Sequence, residues 1–386
     1  MYPSQGVLNL VKYISYSLVK NKQFNKKYIL KIFIFDENFF LQAKKIIYNS
    51  FTFVRNLFLK EKKRIHKISN IKNSFLKENK ILKNKIVFFS KKNHYKNFYP
   101  DLVFPLQDIE MKNNYKSLGY IYDLQHIDLP NYFKSYDKKK RNSDFKYLIK
   151  NTNGILVNSF FVKNGVKKNF KVGNKSINVI PFLPYLYDEN LKKKTDVKKK
   201  YNIKNKFLII CNHFWKHKNH ELAFKAFENL QKTFKNIDLV CTGVTHDSRF
   251  PDYFKNLENK FKKLILSKKI KILDLIPRSD QLELIKKSIG VIQPSLYEGG
   301  PGGFSAYEAM VFNKQLIISD IKINKEISYK NSHFYKKNSS EQLLKKMILL
   351  IKKKNNKEII DKQFSENNKK KLGSFFLKLF NKILND

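Results

Sequence analysis

The chain has 386 residues, too long for one ordinary domain and suited to two of about 150–200 residues each. Hydrophobic residues make up 42%, which excludes a disordered chain, and two cysteines, Cys211 and Cys241, exclude a disulfide framework or a four-thiolate zinc site. The 78 Lys and Arg against 32 Asp and Glu leave a formal +46, yet only five of the 78 are arginines, and proteins that read nucleic acid depend on guanidinium forks.

The N-terminus has no basic segment followed by an apolar run, so no signal peptide is expected. No apolar run approaches the roughly 18 residues of a spanning helix, so the expected location is cytoplasmic. In the first half, residues 27–35, 85–89, 118–122 and 154–158 are candidate strands among Lys- and Asn-rich stretches such as 61–85. Pro181, Pro184 and the charged run 188–200 mark a boundary, giving domains at 1–185 and 186–386. Gly6 arrives after only five residues, so the strand that ordinarily opens a doubly wound domain is expected to be short or missing.

The second half alternates more clearly. Residues 206–212 read as a strand, then 219–234 as a helix capped by Asn219, with an apolar stripe of Leu222, Ala223, Ala226, Phe227, Leu230 and Phe234. Strands follow at 237–243 and 270–275, a helix at 281–289, and strands at 290–293 and 315–319 around a helix near 305–312. Ser339 opens a last clear helix, with Gln342 three residues on as a capping box. Such alternation predicts an α/β fold with parallel sheets covered on both faces and ligands beyond the carboxyl ends of the strands.

Three loops carry residues suited to chemistry. The first, 212–220, joins a strand to a helix start, where free N–H groups suit a phosphate, and Lys218 adds a full charge. The alternative for Lys218 is a solvated surface residue. His213, His217 and His220 have metal-like spacing, but one ends the strand and another begins the helix, so they need not converge. The second loop holds four of the chain's 12 glycines within 299–303, flanked by Glu298 and Glu308. Glycine so concentrated marks a sharp turn or close backbone approach to a ligand. Carboxylates beside it suit sugar or ribose hydroxyls; a flexible loop with a capping Glu is the alternative. The third, 120–130, sets His126 between Asp123 and Asp128, a group able to orient a donor or polarise a hydroxyl. A structural histidine is its alternative.

Taken in order, these loops resemble the family 4 glycosyltransferases of the GT-B fold, the retaining nucleotide-sugar transferases. The likeness rests on residues 122–130, 157–161, 179–184, 212–220, Thr242-Gly243, 247–251, 276–281, 293–299 and 319–321, and covers about 119–350. The resemblance implies two Rossmann-like domains facing a cleft, with the donor mostly on the second and the acceptor mostly on the first. It implies that Lys218 holds the donor diphosphate, that Glu308 binds the ribose and that Glu298 lies beside the transferred sugar. The backbone of Gly299, Gly300, Gly302, Gly303 and Phe304 faces sugar and phosphates, Ile276 and Pro277 lie near the nucleobase, and His126 contacts the donor sugar. Gly6 is then expected in a loop beside donor and acceptor. Two departures stand out: many members have Arg where this chain has His213, and nine residues rather than seven separate the two glutamates.

The expected activity is transfer of a sugar from a nucleotide-sugar, a substrate and not a cofactor, to a glycan or lipid-linked acceptor in surface polysaccharide or lipopolysaccharide synthesis. No Asp-x-Asp motif occurs, so no metal is expected. An epimerase-like enzyme of the same architecture, or a non-catalytic basic protein bound to nucleic acid or membrane, are the alternatives. The charge itself does not favour the last of these. Lys, Asn, Ile, Phe and Tyr are abundant while Gly, Ala, Pro and Arg are scarce, a bias that AT-rich codons produce unaided. No nucleic-acid partner is therefore expected. A Lys-rich surface still allows peripheral contact with the inner face of an anionic membrane, at about 1 kcal/mol per nearby Lys.

Overall fold

A computed structural model describes residues 5–30, 32–35, 86–89, 100–106, 115–186, 196–353 and 362–386. Most of the charged run 188–200 and all of 61–85 lie outside these residues.

The first half begins with a helix, Gln5–Val19, and a short one, Lys22–Lys27. Two strands, β1 (Ile32–Phe35) and β2 (Ile86–Phe89), pair in parallel. Four more form a parallel sheet in chain order: β3 (Leu102–Leu106), β4 (Lys116–Ile121), β5 (Gly154–Val157) and β6 (Ser176–Val179). Helices Ser135–Asn151 and Phe160–Asn169 connect the last three strands. Gly6 therefore sits in the first turn of a helix, not in a loop after a strand. The helical period of Leu10, Ile14, Ser17 and Leu18, all buried, decides the conformation there.

The second half is one six-stranded parallel sheet. Its strands are β7 (Lys206–Cys211), β8 (Ile237–Thr242), β9 (Ile270–Ile272), β10 (Gly290–Gln293), β11 (Gln315–Ser319) and β12 (Ser332–Tyr335). They run side by side as β12-β11-β10-β7-β8-β9. This is the doubly wound order, and its reversal falls between β7 and β10, where Leu208 pairs with Gly290 and Ile209 with Val291. Side-chain alternation divides the core cleanly. Leu208, Ile210, Leu239, Cys241 and Ile292 meet helices His220–Gln231 and Ser340–Lys352 on one face. Phe207, Ile209, Val240 and Val291 meet helices Arg278–Lys287 and Gly303–Val311 on the other.

Two expected caps take a different form. Asn219 has φ 55°, in the left-handed region, and makes no side-chain capping bond. It closes a 3-10 turn, Lys216–Lys218, and an N-cap bond needs extended backbone instead. Ser339 does cap its helix, accepting from Gln342 N–H at 3.1 Å, but Gln342 Oε1 accepts from Lys336 N–H rather than closing the box.

The last helix, Lys362–Asn385, returns to the first half. Leu372, Phe376, Phe380 and Ile383 pack with Leu10, Ile14, Tyr16, Leu118 and Tyr120 in one core. Gly373 permits the crossing, since a Cβ there would stand 2.7 Å from the Ser17 carbonyl oxygen. Among the described residues, no helix is long and apolar enough to cross a membrane. Because Phe376 is fully buried against Phe104 and Phe380, Phe376→Ala should destabilise the protein by about 3–5 kcal/mol in urea unfolding.

Candidate active site

The loops after β7 and β10 meet at the strand-order reversal, and each supplies one member of an ion pair. Lys218 Nζ lies 2.6 Å from Glu298 Oε1, with the side chains only 12% and 7% exposed. The Lys218 turn is braced from both sides. Asp247, buried in the loop after β8, accepts from Lys216 N–H at 2.9 Å and from Arg249 N–H at 3.0 Å. Leu296 N–H donates to the His217 carbonyl at 2.8 Å.

The glycine-rich loop is held by amide side chains. Asn212 Nδ2 donates to Gln293 Oε1 at 2.5 Å, and Gln293 Nε2 donates to the Gly302 carbonyl at 2.6 Å. Gly302 N–H donates to Asn324 Oδ1 at 2.9 Å, and Asn324 in turn donates to the Ser319 carbonyl. Gly302 and Gly303 have φ 66° and 65°, a conformation side chains rarely adopt. Gly299 serves close approach instead: a Cβ there would come within 2.6 Å of the Tyr122 carbonyl oxygen in the first half. Gly300 faces Asn158 and Phe182. The Phe304 ring turns to Phe182 and Tyr13, with centroids 5.5 and 6.0 Å away.

Helix Gly303–Val311 has no acidic residue in its first turn, so its positive end is uncompensated by its own sequence. Helix His220–Gln231, expected to serve a phosphate, carries Glu221 there. Glu308 lies on the first of these helices, almost fully buried, and pairs with Arg278 while Gln281 Nε2 approaches its other oxygen at 3.4 Å. Pro277 stands at the start of the helix carrying Arg278 and Gln281, which puts Ile276-Pro277 and Glu308 in one neighbourhood.

The three histidines of the first loop do not converge. His213 Nδ1 accepts from Val244 N–H at 3.0 Å, His217 Nδ1 meets Arg249 Nη2 at 3.2 Å, and the His220 ring stacks on Phe214 at 4.1 Å. Burial, and then the Lys218 charge, hold all three below the ordinary imidazole range, His220 down to about 3. His213 is thus a neutral donor at pH 7, so it does not replace a guanidinium's charge. Among the described residues, no group of three or more His, Cys, Asp or Glu is arranged to hold a metal ion.

His126 lies on the short helix Gln125–Asp128, just beyond β4. Its Nε2 is 2.9 Å from Asn142 Oδ1, and its Nδ1 is buried without a hydrogen-bond partner. Burial lowers its pKa, so it is neutral at pH 7. No hydrogen bond links it to Lys218 or Glu298. The neighbouring Gln125 makes the connection, through Arg249 and His217. Asp123, on the same loop, pairs with Arg141. The two halves touch at further polar points. Tyr297 Oη accepts from Leu124 N–H at 2.8 Å, and Glu326 accepts from Phe160 and Phe161 N–H at 3.0 and 2.7 Å. Gly6, in the first turn of its helix, lies on neither loop of the Lys218–Glu298 pair.

Residues 192–371 match the family model of glycosyl transferases group 1. Over that segment, a little under half of its length, the chain is similar to the glycosyl transferases group 1 family. A curated relative, the O-antigen chain mannosyltransferase RfbU of Salmonella typhimurium, is 28% identical over 182 residues, 47% of this chain. The match spans about half of that relative, 46% of its length. Solved structures give the fold as GT-B. HepE of Anabaena in complex with UDP and glucose has TM-score 0.55 at 13% identity, covering 78% of this chain and 83% of that one. Sucrose-phosphate synthase from Thermosynechococcus elongatus has TM-score 0.54 at 14% identity, covering 70% and 69%.

Sequence reasoning assigned no role to Asp247, Arg249, Arg278, Gln293 or Asn324, which position the loops around the Lys218–Glu298 pair. The scarcity of Arg is the signal that points to two of them.

The buried neutral histidines make stability depend on pH. Their folded pKa values are depressed, so the unfolded chain binds more protons below its own pKa of about 6.5. Stability is full above that pH and falls as pH drops toward the folded value. For His220, with a folded value of about 3, the loss is about 2 kcal/mol at pH 5. Urea unfolding at pH 7.5 and 5 should show this decline, and His220→Phe should make it smaller, with His213 and His217 still contributing.

Proposed function

We propose that the chain transfers a sugar from a nucleotide-sugar to a glycan or lipid-linked acceptor, with retention and without a metal ion. The observation that carries this reading is the buried Lys218–Glu298 pair at the reversal of a doubly wound sheet, beside a glycine-rich loop and a helix whose first turn has no acidic residue. The relative's printed role in O-antigen chain synthesis supports a glycan acceptor, and the UDP bound to HepE supports a nucleotide donor.

Breaking the bond between anomeric carbon and phosphate places negative charge on the leaving diphosphate and positive charge on the ring. Lys218 and the Gly303 helix start meet the first of these. Before donor binds, Glu298 holds the ammonium in place. When the diphosphate takes that ammonium, the Glu298 carboxylate is released to accept hydroxyl hydrogen bonds from the transferred sugar. Glu308, with Arg278 and Gln281 around it, accepts from the ribose, and Ile276-Pro277 borders the base. The backbone from Gly299 to Gly303 lines the sugar and phosphates. His126, neutral and with Nδ1 unengaged, accepts a hydrogen bond from a hydroxyl of the donor sugar once the sugar reaches it. The acceptor attacks on the face the phosphate leaves, and the phosphate takes its proton, so no protein nucleophile is needed. The second half supplies the donor site and the first half faces the acceptor. We place the protein in the cytoplasm, in peripheral contact with anionic membrane through its lysines.

A thermal-shift panel of UDP-, GDP-, ADP- and dTDP-sugars tests the donor reading, since a ligand raises stability by RT ln(1 + [L]/Kd). One nucleotide should stabilise the fold; no shift with any would overturn the reading. With that donor, Lys218→Ala should lose about 2–4 kcal/mol of transition-state stabilisation. Unchanged turnover would remove Lys218 from the role.

A further inference from the structure

Three of the chain's five arginines, Arg141, Arg249 and Arg278, lie among the described residues, and each engages a loop of the site. Arg141 and Arg278 each close an ion pair with one carboxylate. Arg249 pairs with Asp247 and also reaches across the cleft. Its Nη1 donates to Gln125 Oε1 at 3.0 Å, on the His126 helix of the first half. Its Nη2 lies 3.2 Å from His217 Nδ1, next to Lys218 in the second half. Its Nε is 3.8 Å from Asp247 Oδ1, and its guanidinium carbon sits 4.8 Å over the Phe133 ring.

Resting on the glycosyltransferase reading, we propose that Arg249 is a positioning residue that sets the Lys218 turn in register with the His126 turn across the cleft. A guanidinium stays protonated, so it donates to both partners, and His217 Nδ1 accepts. The planar fork aims two donors in fixed directions while its face lies on an aromatic ring, which a lysine ammonium cannot do. The surrounding loop wedges the same two turns: the Phe250 ring meets Tyr132 of the first half at 5.2 Å, and Lys216 Nζ lies 4.4 Å over Phe250. None of the groups assigned to the donor, Lys218, Glu298, Glu308 or the glycine loop, hydrogen-bonds Arg249. Its loss therefore leaves donor binding in place and disturbs the alignment of donor with the groups of the first half.

The test uses the full chain with Arg249→Met, Arg249→Lys, Gln125→Ala and the double variant Gln125→Ala/Arg249→Met. Nucleotide affinity by titration should stay at the parent value in all four. For Arg249→Met, kcat should fall about 10- to 100-fold with little change in donor KM, as a misplacement of reacting groups does. Arg249→Lys should not rescue it, and the double variant should be no worse than Arg249→Met, because both remove one bridge. A kcat equal to the parent's, or nucleotide affinity falling in step with kcat, overturns the proposal. Hydrogen exchange decides the matter independently of any donor. The amides of Asp128, Leu129, Lys218 and Asn219, all bonded within their turns, should exchange faster in Arg249→Met on both sides of the cleft. Unchanged exchange on either side overturns the bridge. Absence of nucleotide binding by the parent chain defeats the glycosyltransferase reading and leaves the exchange result to stand alone.

Discussion

A lysine and a glutamate held 2.6 Å apart and mostly out of water set the terms for the site. Removing one partner leaves an uncompensated buried charge, so both loops must present their side chains together. The parallel sheet makes that possible: β7 and β10 lie side by side, and their following loops emerge at the same edge. Everything around the pair limits its freedom. Asp247 anchors the lysine turn, Gln293 and Asn324 anchor the glycine loop, and Gly299 admits the first half's backbone close to the glutamate. The pair is thus an occupied anion site, with a carboxylate standing where we place a diphosphate.

The second half was largely legible in the sequence. Buried parallel strands read as short apolar runs such as 207–210, and the intervening helices keep their stripes, so the order of elements and the placement of Lys218, Glu298 and the glycines followed. The pairing of Lys218 with Glu298 did not. Eighty residues separate them, and only the strand order brings them together. The role of His213 was also hidden. The resemblance set it where many members have arginine, which left a lost cation or a weaker, pH-dependent one open; burial and the Lys218 charge keep it neutral.

The first half was harder to read for a compositional reason. Where Lys and Asn fill every tolerant position, helix periodicity is carried by a few apolar residues. Helix Ser135–Asn151 buries only Phe145, Leu148 and Ile149, all in its second half. The opening helix does carry a stripe, but the expectation of a strand followed by a glycine turn led away from it. Arginine worked the other way. Its rarity told against a nucleic-acid role as a count, and the three described ones mark cleft contacts to which the sequence assigned no role.

The helix Lys362–Asn385 completes the core of the first half, not of the half that precedes it in the chain. The order of synthesis and the order of folding therefore diverge. The six strands of the second sheet and their covering helices have all left the ribosome before Phe376 and Phe380 can reach Leu10, Ile14 and Leu118. During synthesis the second half is free to fold as a unit while the first waits with an apolar face uncovered. A nascent chain stalled near residue 355 would expose that face to water and to other chains.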